Sequence, residues 1–152
     1  MKRSMPRILM VASGGGHWVQ MMRVLPAFEG CDVSFVTTEP GYRPAVGGRR
    51  FHVVMDANRW RPFRLAWMMI QVALVVLRER PTVVFSTGAA PGYIAIRVAR
   101  WLGARTIWLD SIANAKELSM SGRKVGPYAD LWLTQWPELA HPQGPAYKGA
   151  VV

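Results

Sequence analysis

The sequence predicts an α/β fold, a Rossmann-like parallel sheet with helices on both faces. Short apolar runs rich in branched residues alternate along the chain with longer segments of helical spacing, a pattern typical of right-handed βαβ crossovers. Glycine-rich turns separate two of these runs from the segments that follow them. The length of 152 residues suffices for one domain with a substantial core. We expect that domain over residues 1–140 and an irregular tail, rich in proline and glycine, over residues 141–152.

The first half of the chain is predicted to form three strands and one helix. Residues 7–12 are a continuous apolar run that ends at glycines, as expected for a buried parallel strand. Residues 17–28 place apolar side chains three and four positions apart, which is helical spacing. Residues 32–37 and 51–55 are rich in β-branched and aromatic side chains, which favour strands. Between them, residues 39–50 carry two prolines and three glycines and are expected to form a loop.

The second half alternates helices and strands more regularly. A long apolar helix is expected over residues 62–78, because proline is favoured at a first helical position and Pro62 stands there. The remaining elements are three strands and two shorter helices, predicted at residues 82–86, 92–102, 105–109, 119–128 and 131–134. No internal repeat and no low-complexity tract interrupts this alternation.

The charge balance favours an anionic partner. Nineteen Lys and Arg against nine Asp and Glu give a net charge of +10, which suits nucleic acid, anionic lipid or a phosphorylated substrate. Most of the basic residues are arginines, which suit bidentate phosphate contacts. Nucleic acid is the least favoured partner, because the sequence carries no reader helix, RNP-like strand or zinc-finger pattern.

Cysteine and histidine usage points away from disulfide and metal chemistry. Cys31 is the only cysteine, so an internal disulfide cannot form and a reducing compartment is indicated. The three histidines are well separated and show no metal-ligand spacing. We therefore expect no metal and no cofactor.

A glycine-rich turn follows the first predicted strand and precedes the first predicted helix. Backbone N–H groups and a helix N-terminus converge in such a turn and attract phosphates, so Ser13, Gly14, Gly15 and Gly16 are candidate phosphate ligands. A Walker A pattern is absent. The dinucleotide pattern G-x-G-x-x-G is incomplete because Val19 stands at its third glycine.

Two alternatives to a phosphate-binding turn stay open. Glu39, just after the second predicted strand, is placed like the acid that binds ribose in dinucleotide enzymes. A stand-alone nucleotide- or dinucleotide-binding Rossmann enzyme is therefore one alternative function. The other is a tight turn that binds no ligand.

A second turn of the same kind occupies STGAAPGY, residues 86–93. In an open parallel sheet, such turns lie together at the carboxyl ends of the strands, where ligands bind. Thr87, Gly88 and Gly92 should therefore face the same cleft as the first turn. Two turns rich in N–H groups suit a diphosphate better than a single phosphate.

Three stretches carry a family resemblance: SGGGH at 13–17, STGAAPGY at 86–93 and LDSIANAKELSMSGRKVGPYADLWLTQWPEL at 109–139. Together they resemble the acceptor-side subunit of split glycosyltransferases of the GT-B fold. Members include the membrane-recruiting subunit of the eukaryotic UDP-GlcNAc transferase that acts on dolichyl-diphosphate-GlcNAc, and bacterial exopolysaccharide proteins of the PssD type. The two glycine turns more distantly resemble those of the MurG-type transferase, which holds a lipid diphosphate there.

The resemblance implies the N-terminal half of a GT-B enzyme, which binds the acceptor. A separate second subunit would supply the UDP-sugar site, with UDP-GlcNAc or UDP-GlcA as donor, so this chain alone should have little activity. The acceptor would be a prenyl-diphosphate-linked sugar, whose hydroxyl attacks the sugar C1 with inversion as UDP leaves. Unlike the eukaryotic relatives, this protein is expected to have no N-terminal membrane span. Asp110 stands where those relatives usually have Glu.

Two residues are candidates for the general base that such a transfer requires. His17 directly follows the glycine turn, and a reference pKa near 6.5 suits proton abstraction; alternatively it donates to a phosphate or packs in the first helical turn. Asp110 ends a predicted strand; alternatively it caps the segment that follows. Ser111 and Asn114 are candidates for binding the acceptor sugar, and Asn114 could instead stabilise its loop.

The segment RWRPFRLAWMMIQVALVVLRER, residues 59–80, has the most unusual composition. Its apolar stretch of thirteen residues is too short to cross a bilayer. One interpretation is a helix buried on all sides. The other is contact with an anionic membrane, which arginine and tryptophan favour, through Arg59, Trp60, Arg61, Arg64 and Trp67. With the net charge, the second predicts a cytoplasmic protein seated peripherally on the inner face of the cell membrane.

The sequence after the last predicted strand is the candidate docking site for the second subunit. Gln135, Trp136, Pro137 and Leu139 could form an apolar dock, since aromatic residues dominate such contacts. Alternatively, Trp136 closes the core beneath the last strand.

Overall fold

The computed structural model describes residues 3–151 and confirms the predicted fold class. In that range seven strands form one parallel sheet: β1 (Arg7–Val11), β2 (Asp32–Thr37), β3 (Phe51–Val53), β4 (Val83–Ser86), β5 (Arg105–Leu109), β6 (Leu131–Thr134) and β7 (Ala146–Tyr147). The α-helices are α1 (Gly16–Val24), α2 (Pro62–Glu79), α3 (Ala89–Trp101) and α4 (Met120–Val125). The strand order is β3-β2-β1-β4-β5-β6-β7, so the chain crosses from one half of the sheet to the other between β3 and β4.

Strand β1 lies inside the sheet and pairs with β2 on one side and with β4 on the other. Leu9 of β1 pairs with Ser34 on one side and with Val84 on the other. The central strands are almost entirely buried, which explains why they were recognisable as continuous apolar runs. Their carboxyl ends converge at one edge, and the sequence places the glycine turns there.

Prolines account for most differences between predicted and observed helices. The helix predicted over residues 17–28 ends at Val24 and continues as a 3₁₀ turn, Leu25–Phe28, because Pro26 cannot donate the next helical hydrogen bond. The helix predicted over residues 119–128 likewise changes to a 3₁₀ turn at Gly126–Tyr128, which contains Pro127. The predicted loop at 39–50 contains a 3₁₀ segment, Pro40–Val46.

The helix predicted over residues 92–102 begins three residues earlier, at Ala89. Pro91 therefore lies in the first turn of α3, where its missing N–H costs no helical hydrogen bond. Gly92, predicted as the end of the second turn and the first residue of this helix, lies in the second turn of α3.

The tail expected to be irregular contributes the seventh strand. Ala146 and Tyr147 pair in parallel with Leu133 and Thr134 of β6. Beyond β7 the chain returns over the sheet, and Val151 packs against the core on the α1 side. A strand of two residues has too little periodicity to stand out in a sequence that also carries prolines and glycines.

Two apolar clusters lie on opposite faces of the sheet. One joins Leu9 and Val84 to the inner sides of α2 and α3. The other joins Met10 and Phe35 to Trp18 of α1. Helices therefore cover both faces, as predicted.

Helix α2 is not buried on all sides, so that interpretation of its composition is wrong. Only Met68, Val72 and Val76 along it are fully buried. The opposite side is apolar and exposed at every third or fourth position: Phe63, Trp67, Ile70, Leu74 and Leu77. We call these five residues the outer stripe.

Candidate functional site

The first glycine turn connects β1 to α1 at the carboxyl edge of the sheet. The Gly14 N–H donates to the Thr38 hydroxyl at 3.3 Å, and the Gly15 N–H donates to the Tyr42 hydroxyl at 2.9 Å. The amides of Gly16 and the next two residues form the first turn of α1, where N–H groups lack partners within a helix. Two of the predicted amide donors, Gly14 and Gly15, are thus already paired, and Gly16 is the one that belongs to α1.

The second turn is bound directly to the first. The Thr87 hydroxyl donates to the His17 carbonyl at 2.6 Å. The Gly88 N–H donates to the Ser86 hydroxyl at 3.1 Å. Ala89 adopts a left-handed φ of 68°, which is unusual for a residue with a Cβ. Such conformations concentrate at functional sites. The structure therefore brings both turns together, as predicted.

The second turn, however, lies beneath the first rather than beside it. Thr87, Gly88 and Gly92 are buried, and a Cβ on Gly92 would overlap the Ser86 hydroxyl and approach Trp108. The prediction that Gly92 contacts the diphosphate is therefore wrong: this glycine allows α3 to pack against β4. Thr87 and Gly88 support the first turn from inside.

His17 lies where the two turns meet. A Cβ on Gly88 would stand 2.6 Å from its Nδ1, so the ring packs on bare backbone. Nδ1 is buried and has no hydrogen-bond partner within residues 3–151. Burial lowers the pKa of His17 below its usual 6.5, although the negative charge of Asp110 acts in the opposite direction. The imidazole is therefore held neutral at physiological pH.

Asp110 is a structural carboxylate rather than an accessible base. Its side chain is 1% exposed. It accepts hydrogen bonds from Trp108 Nε1, Asn114 Nδ2 and both the N–H and hydroxyl of Ser119. With four donors on two oxygens it has no free position for a substrate proton. The geometry contradicts a catalytic base at Asp110. It does not make Asp110 the helix cap either, because Ser119 caps α4 and Asp110 accepts hydrogen bonds from Ser119.

The segment after β5 is held by internal hydrogen bonds. The Ser111 hydroxyl accepts from Gln20 Nε2 at 3.2 Å and from the Ala113 N–H at 3.2 Å. Asn114 donates through its amide nitrogen to Asp110 at 3.1 Å. Ser111 is buried and Asn114 is half-buried. Of the two candidates for sugar binding, Asn114 is the better exposed.

Several residues of the site were not singled out from the sequence. Tyr42 stacks on Trp18 with ring centroids 4.7 Å apart and accepts from the glycine turn; it is 27 residues away and carried no local signal. Gln20 was only a member of a predicted helix. Its polarity on a buried helix face, one turn after His17, was the signal that could have identified it.

Gln135 does not belong to a docking surface. It is 2% exposed and hydrogen-bonded inside the domain, so the prediction that it contacts a partner is wrong. Trp136 is half-buried and donates through Nε1 to the Ile112 carbonyl at 2.7 Å. Pro137 is exposed and Leu139 is half-buried.

Basic and aromatic residues surround the N-terminal end of α2. Arg59 stacks over the Trp60 ring at 4.6 Å, and Arg64 donates to the Asp56 carbonyl at 3.2 Å. Phe63 and Trp67 begin the outer stripe beside them, 91% and 51% exposed. Since α2 follows the carboxyl end of β3, this surface begins at the same edge of the sheet as the glycine turns.

No helix within residues 3–151 combines the length and the apolar character needed to cross a membrane.

Glu39 does not take the position of a ribose-binding acid. Its carboxylate accepts from the N–H of Gly41 and so caps the 3₁₀ segment that follows it. The dinucleotide-binding alternative therefore loses the support that the position of Glu39 gave it.

The parallel sheet with joined glycine turns at its carboxyl edge defines a Rossmann-like domain of the GT-B type. The fold matches the crystal structure of Acinetobacter baumannii MurG with a TM-score of 0.77 at 14% identity, over 97% of this chain and 46% of that one. It also matches the UDP-GlcNAc 2-epimerase of Methanocaldococcus jannaschii with a TM-score of 0.66 at 12% identity, over 84% of this chain and 39% of that one. The chain thus spans less than half the length of these two proteins.

The chain belongs to the family of Alg14-like oligosaccharide biosynthesis proteins, whose sequence profile matches residues 49–151. It is 28% identical to the UDP-N-acetylglucosamine transferase subunit ALG14 of Eremothecium gossypii, over 91% of this chain and 76% of the relative. Identity to the corresponding Schizosaccharomyces pombe subunit is also 28%, over 88% of this chain and 77% of the relative. The family resemblance drawn from the three sequence stretches is confirmed.

Proposed function

We propose that this protein is the acceptor-binding, membrane-associated subunit of a two-chain inverting UDP-sugar transferase that acts on a prenyl-diphosphate-linked sugar. The observation that carries the proposal is that the two glycine turns are joined by a hydrogen bond at the carboxyl edge of the sheet. The first turn of α1, with its N–H groups unpaired within the helix, and a neutral His17 lie at the same place. Relatives named as UDP-N-acetylglucosamine transferase subunits support the transferase class.

The diphosphate would bind to the first turn of α1. The N–H group of Gly16 and the helix dipole attract phosphate oxygens there, and both Gly15 and Gly16 are exposed. The Tyr42 hydroxyl, which accepts from Gly15, has its own proton free to donate to the ligand. Gly14, Thr87 and Gly88 would act indirectly, by holding this turn in place.

His17 is the proposed general base. A neutral imidazole can accept the proton of the attacking acceptor hydroxyl, and the lowered pKa keeps it neutral at physiological pH. Because Nδ1 is buried against Gly88, Nε2 is the nitrogen that would face the acceptor. Asn114 would bind the acceptor sugar, and Ser111 and Asp110 would shape the segment that carries it.

The donor site would come from a second subunit that binds UDP-GlcNAc or UDP-GlcA. Relatives named as UDP-N-acetylglucosamine transferase subunits, together with a fold that matches about half of each of the two solved neighbours, support a donor site on another chain. Exposed Pro137 with half-buried Trp136 and Leu139, next to the segment after β5, is the proposed docking surface. Together the two chains would enclose the cleft.

The outer stripe and its arginines would seat the protein on an anionic membrane. Aromatic and aliphatic side chains enter the headgroup boundary while arginines bind lipid phosphates. Since the surface begins beside Arg59, Trp60, Arg61 and Arg64 at the edge that carries the glycine turns, a prenyl diphosphate could reach the cleft without leaving the bilayer. The location would be the cytoplasmic leaflet of the cell membrane.

Reconstitution tests the transferase. The chain, alone and co-expressed with the product of the neighbouring open reading frame, is incubated with a synthetic prenyl-diphosphate-linked N-acetylglucosamine and radiolabelled UDP-GlcNAc or UDP-GlcA. We expect labelled product only with both chains. Transfer by this chain alone, or none with any pair, contradicts the proposal.

Vesicle flotation tests the membrane surface. We expect the double variant Phe63→Ser, Trp67→Ser to bind phosphatidylglycerol vesicles about tenfold more weakly than the wild type, because two large apolar side chains no longer enter the lipid. Val19→Ser is the matched control, since Val19 is apolar and 47% exposed but lies on α1, across the sheet. Equal binding by all three proteins contradicts membrane contact through α2.

A further inference from the structure

Two glutamines form a buried hydrogen-bonded pair behind the candidate site. Gln20 lies on α1, one turn after His17, and Gln135 directly follows β6. They are 5% and 2% exposed. Gln135 Nε2 donates to Gln20 Oε1 at 2.5 Å, so the pair joins elements 115 residues apart in the chain.

Both amides are directed at the backbone and hydroxyl of the segment after β5. Gln20 Oε1 also accepts from the Ile112 N–H at 3.1 Å, and its Nε2 donates to the Ser111 hydroxyl at 3.2 Å. Gln135 Nε2 also donates to the Asp110 carbonyl at 2.9 Å. Three consecutive residues, 110–112, are thus hydrogen-bonded to the two glutamines.

The pair also reaches the end of the described chain. Gln135 Oε1 accepts from the Val151 N–H at 2.9 Å. Both donor hydrogens and the oxygen of the Gln135 amide are therefore used. Only an uncharged amide supplies donors and an acceptor together in this volume, which accounts for glutamine at both positions.

We infer that Gln20 and Gln135 are positioning residues that set the distance between the helix carrying His17 and the segment carrying Asn114. This inference rests on the proposed function, because it makes the pair determine how the acceptor sugar is held against the base. Neither glutamine touches the substrate. Each acts by fixing residues 110–112, and through them Asn114, against α1.

Isosteric variants test the inference in the two-chain enzyme. Gln20→Met and Gln135→Met keep the volume of each side chain and remove its hydrogen bonds. We expect KM for the prenyl-diphosphate-linked N-acetylglucosamine to rise about tenfold in each, as follows when buried partners lose a hydrogen bond. KM for the UDP-sugar should not change. The double variant should resemble either single variant, because the residues act as a unit.

Val72→Ala is the matched control. Val72 is fully buried on α2, on the other face of the sheet, so its truncation lowers thermal stability without touching the pair. We expect Val72→Ala to lower Tm about as much as the glutamine variants do, and to leave both KM values unchanged. An acceptor KM that is unchanged in the glutamine variants, or raised equally in Val72→Ala, overturns the inference.

Amide hydrogen exchange in this chain alone tests the positioning role of the glutamines without the transferase assay. Faster exchange at Ile112 and Ala113 in Gln20→Met is expected, and unchanged exchange there also overturns the inference. An inactive wild-type pair of chains would refute the proposed function. An active wild-type pair with unaltered acceptor KM in the variants would refute only the positioning role.

Discussion

The two glycine turns look alike in sequence but use their glycines for different physical reasons. In the first turn, only Gly15 has a positive φ, 72°, and a Cβ there would meet nothing within 4 Å. In the second, a Cβ on Gly88 would press on His17 and one on Gly92 would overlap Ser86. The first turn thus needs a backbone conformation at Gly15, whereas the second needs empty space at Gly88 and Gly92 and, at Gly88, a positive φ of 142° as well.

This contrast separates solvent-exposed backbone from backbone that allows close packing. The first turn is open to solvent at Gly15 and Gly16, as a phosphate site requires. The second is buried and supports the first through Thr87. A glycine-rich turn after a parallel strand therefore does not by itself indicate ligand contact, and the space around each Cβ decides.

The largest effect is expected for Gly92→Ala. Alanine inside a helix normally stabilises relative to glycine, but here the new Cβ would overlap the Ser86 hydroxyl. We expect a loss of about 2–3 kcal/mol in the free energy of unfolding, as for other overpacked cores. Urea denaturation measures it.

The rescue variant for this prediction is Ser86→Ala combined with Gly92→Ala. Removing the oxygen should recover part of the lost stability. A stability equal to or above wild type in Gly92→Ala alone would show that packing is not the reason for this glycine.

Gly88→Ala should cost about 2 kcal/mol, because φ of 142° strains any other residue and the Cβ presses on His17. Unlike Gly92→Ala, it should also displace the imidazole. NMR of the His17 ring protons and urea denaturation check the two effects. An unchanged ring environment would contradict the contact between the turns.

Gly15→Ala should cost about 1 kcal/mol through its positive φ alone, since the position has room for a Cβ. Gly16→Ala is the matched control, with ordinary φ and its nearest neighbour, Gln20 Nε2, 3.9 Å away. We expect its stability to stay equal or rise by about 0.5–1 kcal/mol. A similar loss in both variants would remove the distinction between these glycines.

The smallest effect is the pH dependence arising at His17, where the turns meet. Its pKa in the folded protein lies below 6.5, so the unfolded chain binds a proton first and stability falls as pH drops below about 6.5. Below the folded pKa this contribution becomes constant. His17→Gln should flatten the dependence from pH 7 to 5 in urea denaturation. A dependence equal to wild type would place the titration elsewhere.

The fold was largely predictable because its signals are local. Strand boundaries at Asp32–Thr37, Arg105–Leu109 and Leu131–Thr134 were predicted to the residue, since these short runs are rich in β-branched and aromatic side chains. Strand β7 was missed because it has only two residues, which is too short to show the alternation of a strand, and its pairing with β6 is a long-range contact. The start of α3 was misplaced because the stretch predicted as a turn, residues 86–93, contains the first turn of the helix.

The candidate site was predictable only in part because its decisive contacts are long-range. The position of His17 beside a glycine turn could be read from neighbouring residues. That Asp110 is saturated by Trp108, Asn114 and Ser119 depends on how the loop over residues 110–119 closes. The Gln20–Gln135 contact depends on the packing of α1 against the end of β6. No local pattern encodes either.

The sheet ends in very short strands on both sides, three residues at β3 and two at β7. Few unpaired backbone groups are therefore offered to another chain, which limits aggregation by strand addition. Contacts of this protein with other proteins or with membranes are therefore expected to be made by side chains rather than by strand addition. Amyloid-like growth from these margins is correspondingly disfavoured, even though half of the residues are hydrophobic, at 51%.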